Sequence, residues 1–131
     1  MNYAEKILEL YTKFRQEIDK ICIPEILKCV NITPIWWEGK QVGIVCYVIQ
    51  PTHLYIDCVY VEPEYRRKGL AKTAVLSVYE TFKDNEIRLH IINENKVAYD
   101  FWNDIFDLEY LEGNAVDTLY KVGGLKSDRT R

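Results

Sequence analysis

The sequence predicts an α/β (α+β) fold in which helices cover both faces of one mixed central sheet. Three apolar segments in the first half are joined by short turns, and a helical pattern then separates the third segment from a fourth. Strands joined by short turns pair antiparallel, whereas a strand reached through a helix lies parallel to its predecessor with a right-handed connection. We therefore expect an antiparallel meander of three strands followed by a parallel strand pair.

The first half of the chain predicts two helices and then the meander. Apolar residues at helical spacing indicate an amphipathic helix over residues 3–20, and Pro24 begins a second, shorter helix that ends near Val30. Turns at Glu38-Gly39-Lys40 and Pro51-Thr52-His53 then separate three strands. The predicted strands cover residues 32–37, 41–50 and 54–61.

The second half predicts a helix, a strand, a second helix and a hairpin. The helices cover residues 70–83 and 96–104, and Asn93 or Asn95 caps the second. The strand covers residues 87–92, and the hairpin strands cover residues 108–111 and 118–122. The stripe that the first of these helices buries is Ala71, Ala74, Val75, Val78 and Phe82. Residues 1–122 are expected to form one domain, and the polar residues 123–131 a mobile tail.

Length and composition narrow the class of protein. The 131 residues fit one domain, and no apolar stretch approaches the roughly 18 to 20 residues that a membrane span needs. The N-terminus lacks the apolar core of a signal peptide, so we expect a cytoplasmic protein with no membrane partner. The four cysteines have no metal-binding spacing, which predicts buried thiols and no metal site. They are Cys22, Cys29, Cys46 and Cys58.

A basic loop follows the third strand and leads into a helix. It holds four cations, Arg66, Arg67, Lys68 and Lys72, around Gly69. Cations at a helix N-terminus are disfavoured by roughly 0.3–1 kcal/mol each, so a bound anion would explain them. The rest of the chain has 13 basic against 20 acidic side chains, which argues against a nucleic-acid partner. The alternative is a basic turn that is merely solvated.

Two motifs resemble those of the GNAT superfamily of N-acyltransferases. Arg66-x-x-Gly69-x-Ala71, preceded by Val61-x-Pro63-x-Tyr65, is similar to the acyl-CoA binding motif of that family. The second motif is Leu89-x-Ile91-x-x-x-Asn95-x-x-Ala98-x-x-Phe101-Trp102. The resemblance extends over nearly the whole order of elements, although the first strand of the family is missing. It implies acetyl-CoA as cosubstrate and a parallel strand pair that splays apart.

The resemblance also implies which residues hold the cosubstrate. The pantetheine arm would lie between the splayed strands, against main-chain groups of Val59 and Val61, with a backbone amide near Tyr60 facing the oxyanion. Asn95 would approach the arm from the other side, cap the helix, or do both. The pyrophosphate would lie on the basic loop and the first helical turn. Those residues are Arg66, Arg67, Lys68, Gly69, Leu70, Ala71 and Lys72.

The catalytic groups depart from the family pattern. Trp102 stands where the family often has a tyrosine acid, and an indole N–H donates a hydrogen bond without giving up its proton. Tyr99, one turn earlier, is either the acid or a packing aromatic. The glutamate that often serves as base is replaced by Tyr55. Asp57 is then either the base or a structural carboxylate in an ion pair with Arg88 or Lys121. The other candidates for the base are His53, Glu62 and water.

The resemblance implies an N-acetyltransferase that transfers acetyl from acetyl-CoA to a primary amine by direct attack in a ternary complex. The amine belongs to a small molecule, a peptide or a protein, and Lys20, Ile21 and Cys22 would help to form its pocket. Phe106-Asp107 also replaces the Gly-Phe that the family has after its last helix. Because the expected acid, base and Gly-Phe turn are absent, the alternative is a non-catalytic module that binds acyl-CoA or a protein. Expected edge strands favour a homodimer.

Overall fold

The computed structural model describes residues 5–6, 9–10, 12–13 and 31–126. In this part of the chain six strands form one mixed sheet with the order β1-β2-β3-β4-β6-β5. The strands are β1 (Asn31–Trp37), β2 (Lys40–Ile49), β3 (His53–Val61), β4 (Glu86–Ile92), β5 (Phe106–Gly113) and β6 (Asp117–Leu125). Helix α1 (Leu70–Phe82) connects β3 to β4, and helix α2 (Lys96–Ile105) connects β4 to β5. The predicted fold class is confirmed.

The first hairpin turns through two residues in the left-handed region. Glu38 has φ 50° and Gly39 has φ 82°, and the flanking residues Trp37 and Lys40 pair with each other. Positive φ at both central positions defines the type I′ turn, whose twist matches that of the flanking strands. This turn sets the register of the antiparallel meander β1-β2-β3, which the sequence predicts.

The parallel pair is short, and the two strands separate beyond it. Residues 53–56 of β3 pair with residues 86–89 of β4, and the pairing ends at Ile56 and Leu89. The register of β3 against β2 also shifts here, because Cys46 pairs with Cys58 while the next residue, Tyr47, pairs with Ile56. Asp57 is thus the extra residue of a β-bulge, a feature that bends a strand and raises its twist. The predicted splay is present and begins at this bulge.

The two helices α1 and α2 cover the same face of the sheet. Their buried residues Val75, Val78, Trp102 and Ile105 belong to one apolar cluster with residues of the central strands. On the opposite face the described residues near the N-terminus are helical, and Leu10 among them is completely buried. Lys6 and Lys13 of that segment contact Glu62 at the end of β3. Helices therefore lie on both faces, as predicted.

The last hairpin is longer than the sequence predicts. Helix α2 passes directly into β5, since Phe106 ends the helix in an extended conformation and is 1% exposed. Strand β6 continues to Leu125, and Leu125 and Gly124 pair with Phe106 and Asp107. The predicted strand end at Val122 is wrong. Residues 123–125 continue the strand because main-chain hydrogen bonds to β5 hold them, and these bonds do not require side chains that pack. Gly123–Leu125 therefore belong to the strand and not to a mobile tail.

Several predictions concern residues outside the described part of the chain. They are most of the predicted helix over residues 3–20, the short helix after Pro24, the pocket residues Lys20, Ile21 and Cys22, the thiol of Cys29 and the end of the tail. Cys46 and Cys58 are buried thiols that form no disulfide, as predicted. None of the helices described is long and apolar enough to cross a membrane.

Gly43 on β2 is expected to tolerate no side chain. A Cβ at this position would lie 2.3 Å from the carbonyl oxygen of Tyr60 on β3. Because the neighbour is main chain, the two strands must move apart, and we expect Gly43→Ala to lower the free energy of unfolding by about 1–3 kcal/mol. Urea unfolding measures this change.

Gly123→Ala provides the matched control, since its Cβ would meet main chain only at 3.3 Å. A loss of stability for Gly43→Ala no larger than that of Gly123→Ala would contradict the close packing of β2 on β3.

Candidate active site

A groove of about 810 Å³ opens where β3 and β4 separate. This volume lies within the range of about 300–1,000 Å³ that small-molecule sites usually have. One wall is β3 from Tyr55 to Val61, the other is β4 from Leu89 to Ile92 with part of α2, and the basic loop closes one end. Most of the residues singled out in the sequence line this groove. They are Asp57, Val59, Tyr60, Val61, Arg66, Arg67, Gly69, Leu70, Ala71, Lys72, Asn95 and Trp102.

The main chain of β3 faces the groove at alternate residues. Glu62 donates its backbone N–H to the carbonyl oxygen of Val42 on β2. In an antiparallel ladder the residues that bond to the partner strand alternate with residues whose N–H and C=O point the other way. Val61 and Val59 therefore direct these groups toward β4, into the gap that opens beyond Ile56. This edge suits a ligand that can hydrogen-bond to an extended strand.

The basic loop directs backbone N–H groups toward the end of the groove. Arg67 and Gly69 have φ values of 67° and 76°, both in the left-handed region. No side chain caps α1, and the backbone bond from Thr73 to Gly69 is its first helical turn. The N–H groups of the first turn, Leu70 to Lys72, thus have no acceptor within the helix. An uncapped helix N-terminus after a left-handed turn binds anions well.

The four loop cations occupy different positions. Arg66 donates from Nε to the carbonyl oxygen of Val61 at 2.7 Å, and its guanidinium lies 5.3 Å from the centre of the Tyr60 ring. Arg67 and Lys72 line the groove. Lys68 instead lies over the ring of Trp37, 5.1 Å from its centre, and does not line the groove. The charge that faces the groove therefore comes from Arg66, Arg67 and Lys72.

Helix α2 contributes a cap and two aromatic rings. The Oδ1 atom of Asn95 accepts a hydrogen bond from the backbone of Ala98 at 2.9 Å, so Asn95 is the N-cap and also lines the groove. Trp102 is 8% exposed and stacks on Phe106 with an angle of 22° between the rings. Phe101 meets the Trp102 ring edge to face. Trp102 is therefore held in one orientation at the wall of the groove.

Two catalytic candidates have different surroundings. Tyr99 is 38% exposed and packs near Tyr120, with 6.1 Å between ring centres, away from the groove. Asp57 lines the groove at the bulge where β3 and β4 separate.

Arg88 and Lys121, which the sequence offers as ion-pair partners of Asp57, contact other carboxylates. Arg88 pairs with Glu86, and Lys121 lies 3.8 Å from Glu86 and 4.0 Å from Glu109. These charges compensate one another on β4, β5 and β6. The described residues contain no group of three or more His, Cys, Asp or Glu side chains that could hold a metal ion.

The structure also brings together a pair of residues that the sequence does not. The hydroxyl oxygen of Tyr55 lies 2.7 Å from Nδ1 of His90, and both residues line the groove. The sequence marks Tyr55 only as a replacement for a glutamate, and it assigns no role to His90. Their contact follows from the register in which Tyr55 pairs with Arg88, two residues before His90 on the same face of β4. Without that register the sequence carries no signal for the pair.

The remaining base candidates lie at the strand ends. His53 contacts the hydroxyl of Thr52 and does not line the groove. Glu62 accepts hydrogen bonds from Lys13 at 2.8 Å and from Lys6 at 2.9 Å. Burial by itself would raise the pKa of Glu62, but the hydrogen bonds and charges of the two lysines outweigh it and hold the pKa below its usual value. A carboxylate stabilised in this way is a poor proton acceptor, so Glu62 is a poor candidate for the base. Its ion pairs connect the N-terminal helical segment to the end of β3.

The comparison with protein families gives the class of this fold and groove. The model of the acetyltransferase (GNAT) family matches residues 4–106. The match covers most of the sequence, so the chain belongs to this family. A comparison with curated proteins finds no match.

Solved structures with this fold include the PaiA N-acetyltransferase of Thermoplasma acidophilum in complex with coenzyme A. It is 21% identical with a TM-score of 0.63, over 92% of this chain and 79% of that one. A Bacillus subtilis acetyltransferase in complex with CoA is 16% identical with a TM-score of 0.66, over 87% and 90% of the two chains. Arabidopsis thaliana NAA60 in complex with a bisubstrate analogue is 16% identical with a TM-score of 0.61, over 89% and 93%.

The ion pairs of Glu62 predict a pH-dependent contribution to stability. Because its pKa is lowered in the folded state, the contribution is present above the pKa of the unfolded chain, near 4.5, and is lost as the pH falls through the folded pKa. We expect Glu62→Gln to lower the free energy of unfolding by about 1 kcal/mol at pH 7. Urea unfolding of both proteins from pH 7 to pH 3 measures the difference.

The difference between wild type and Glu62→Gln should shrink toward zero as the pH falls from 4.5 through the lowered pKa of the folded state. Glu64→Gln, an exposed carboxylate two residues later, is the control. A difference that stays constant with pH would show that Glu62 stabilises the fold through packing rather than charge.

Proposed function

We propose that the protein is an acetyl-CoA-dependent N-acetyltransferase, which transfers acetyl to a primary amine by direct attack in a ternary complex. The observation that carries this proposal is the groove between β3 and β4, which runs from the bulge at Asp57 to the uncapped N-terminus of α1. Membership of the acetyltransferase family supports it. So do the coenzyme A complexes of the Thermoplasma and Bacillus proteins.

The dimensions and polarity of the groove fit coenzyme A in one direction. The pyrophosphate would lie against the N–H groups of the first turn of α1, with Arg67 and Lys72 close by. The arm would follow the free edge of β3 from Val61 to Ile56, a distance of roughly 16 Å at 3.3 Å per residue. This length is comparable with an extended pantetheine, whose amides can pair with Val59 and Val61. The thioester would then lie near the bulge.

The residues around the bulge suit the chemistry of acyl transfer. An attacking amine must be neutral, the developing oxyanion needs a hydrogen-bond donor, and the thiolate needs stabilisation as it leaves. The free edge of β3 offers backbone N–H groups for the oxyanion. The indole N–H of Trp102 is the candidate donor to the thiolate. The carboxylate of Asp57 can attract a cationic amine or accept its proton.

The acceptor is proposed to be a primary amine of a small molecule, a peptide or a protein. Arabidopsis thaliana NAA60 binds a bisubstrate analogue, which supports direct attack in a ternary complex. A cytoplasmic location stays a prediction. A homodimer also stays a prediction, and β1 and β5 are the edge strands of the sheet that favour it.

The loop cations predict a salt-dependent affinity for CoA. We expect the double variant Arg67→Asn and Lys72→Gln to bind CoA about tenfold more weakly at low salt, and the loss to become smaller at high salt. Asparagine is chosen because it tolerates the positive φ at residue 67. Isothermal titration calorimetry at two salt concentrations measures both effects.

Lys83→Gln is the matched control, because Lys83 stands at the opposite end of α1 and pairs with Glu80. Equal affinity of the double variant and this control would show that the groove does not hold the phosphates of CoA at the loop.

The function itself is tested by release of free thiol from acetyl-CoA with a panel of primary amines, including small polyamines, amino acids and peptides. We expect at least one amine to give release well above the hydrolysis background, and Asp57→Asn to lower kcat/KM for it by about tenfold or more. Binding of acetyl-CoA without release for any amine would favour the alternative, a non-catalytic acyl-CoA-binding module. No binding at all would refute both.

A further inference from the structure

We propose that Asp117 binds a second cationic group of the acceptor, so that the preferred substrates are linear diamines whose two nitrogens are separated by an apolar spacer. This inference rests on the proposed acetyl transfer and names the substrate class of that same site. The observation behind it is the position of Asp117 on β6, at the wall of the groove and across β4 from the bulge. Within the described residues, Asp57 and Asp117 are the two carboxylates that line the groove.

Asp117 lies on the face of the sheet from which an acceptor can approach. It pairs with Ile92 on β4, so the two side chains point to the same face. Ile91 belongs to the cluster that α1 and α2 cover, and Ile92 therefore points to the opposite face, as His90 does. His90 is exposed. An amine that enters from this open face passes Asp117 on its way to the bulge.

The turn that precedes Asp117 holds it at the rim of the groove. The Oδ1 atom of Asn114 accepts hydrogen bonds from the backbone of Val116 at 2.7 Å and of Asp117 at 3.0 Å. Asn93, in the loop after β4, donates to the carbonyl oxygen of Asn114 at 2.7 Å and accepts a hydrogen bond from Thr118 at 2.6 Å. The turn is thus fixed against the end of β4, and the position of Asp117 is set before a substrate binds.

In the part of the chain that the structure describes, no cation neutralises the carboxylate of Asp117. Its Oδ1 atom accepts a 3.3 Å hydrogen bond from the side-chain amide of Asn114, which is neutral. Lys121, on the same face of β6, lies near Glu86 and Glu109 instead. The loop cations follow β3, across the groove. A carboxylate in this position attracts cationic groups and repels anionic ones.

The strand register gives the distance between the two ends of the acceptor. The parallel pairing ends at Leu89, and Ile92 lies three residues further, about 10 Å along β4. Strand β6 is displaced by roughly 7 Å from the gap between β3 and β4, which is about one and a half strand spacings. The Cα atom of Asp117 is therefore about 12 Å from the position proposed for the thioester. Its side chain and one hydrogen bond cover about 5 Å, which leaves about 7 Å between the two nitrogens.

The wall between these two positions is apolar. Ile92 lines the groove and lies on the same face as Asp117. An extended chain advances about 1.2 Å per bond, so about 7 Å corresponds to a spacer of about four to six methylene groups. Methylene groups can pack on Ile92, whereas a charged or polar spacer would lose hydration there. The geometry therefore fits linear diamines better than amino acids, whose carboxylate Asp117 would repel.

The experiment compares diamines of increasing length, with two to eight methylene groups, with the alkylamines of the same length. It uses the full chain, acetyl-CoA and release of free thiol. We expect kcat/KM to be highest for diamines with about four to six methylene groups, and about tenfold or more above the matched alkylamine. Asp117→Asn keeps an oxygen for the amide of Asn114 and removes the charge. It should abolish most of this advantage and leave kcat/KM for alkylamines within about twofold.

A charge reversal gives a readout that a merely structural role would not move. Asp117→Lys should lower kcat/KM for diamines and raise it for 6-aminohexanoate, which carries a carboxylate in place of the second amine, by about fivefold or more. Asp104→Asn is the matched control, because Asp104 is an exposed carboxylate on α2 outside the groove. It should keep the preference of the wild type. Calorimetric titration with CoA should give affinities within about twofold for all variants, which shows that each is folded.

The outcomes separate this inference from the proposed function. Equal kcat/KM for diamines and alkylamines in the wild type would overturn the role of Asp117 and leave the proposed transfer intact. An equal loss for both kinds of amine in Asp117→Asn would overturn it too, since the residue would then act through the structure of the groove. A wild-type protein that releases thiol with no amine would overturn both this inference and the proposed transfer.

Discussion

The separation of β3 from β4 beyond Ile56 and Leu89 is the constraint on which the rest of the site depends. A central strand whose edge has lost its partner leaves N–H and C=O groups that must find another one. The bulge at Asp57 bends β3 at this point, so that one side of the strand keeps its pairing to β2 while the other side opens. The fold thus places an unpaired strand edge in the middle of a sheet, where a ligand can pair with it.

The basic loop is adapted to the end of this opening. Arg66 bonds to the Val61 carbonyl, which is the last edge group of β3, and so fixes the loop against the strand. Left-handed φ at Arg67 and Gly69 then turns the chain into α1 with no capping side chain. The unfavourable position of the cations at the positive end of the helix dipole is understandable if an anion is bound between them. In the proposed function, the strand edge and the helix terminus bind two parts of one elongated ligand.

Much of the fold was predictable because its signals are local. Turn residues and apolar periodicity predict the antiparallel meander and the parallel pair. The groove was implied by the resemblance of the motifs around Arg66, Gly69 and Asn95 to those of a known family. The roles of individual side chains depend on such contacts. The sequence predicts that Lys68 belongs to the cation cluster of the loop. In the structure its ammonium group lies over the ring of Trp37 on β1, away from the groove. The sequence predicts that Gly123 and Gly124 lie outside the strand, yet both belong to β6, and Gly124 pairs with Asp107 on β5.

The relation between Tyr55 and His90 shows the same limit more clearly. The two residues are 35 positions apart, and only a parallel register brings them into contact. By comparison with the family pattern, which often has a glutamate at this position, Tyr55 indicates only that the expected base is missing. In the structure that position has a partner on the neighbouring strand, because the hydroxyl oxygen of Tyr55 lies 2.7 Å from Nδ1 of His90.

The two ion pairs at Glu62 join the helical segment near the N-terminus to the end of β3, just before the basic loop. Moving that segment requires either separation of Lys6 and Lys13 from the carboxylate or displacement of Glu62 itself, which adjoins Val61. Whatever binds against the segment and whatever binds on the loop are consequently linked through one side chain. Linkage of this kind is reciprocal: the factor by which occupation of the loop changes the affinity of a ligand at the segment is also the factor by which that ligand changes the affinity at the loop.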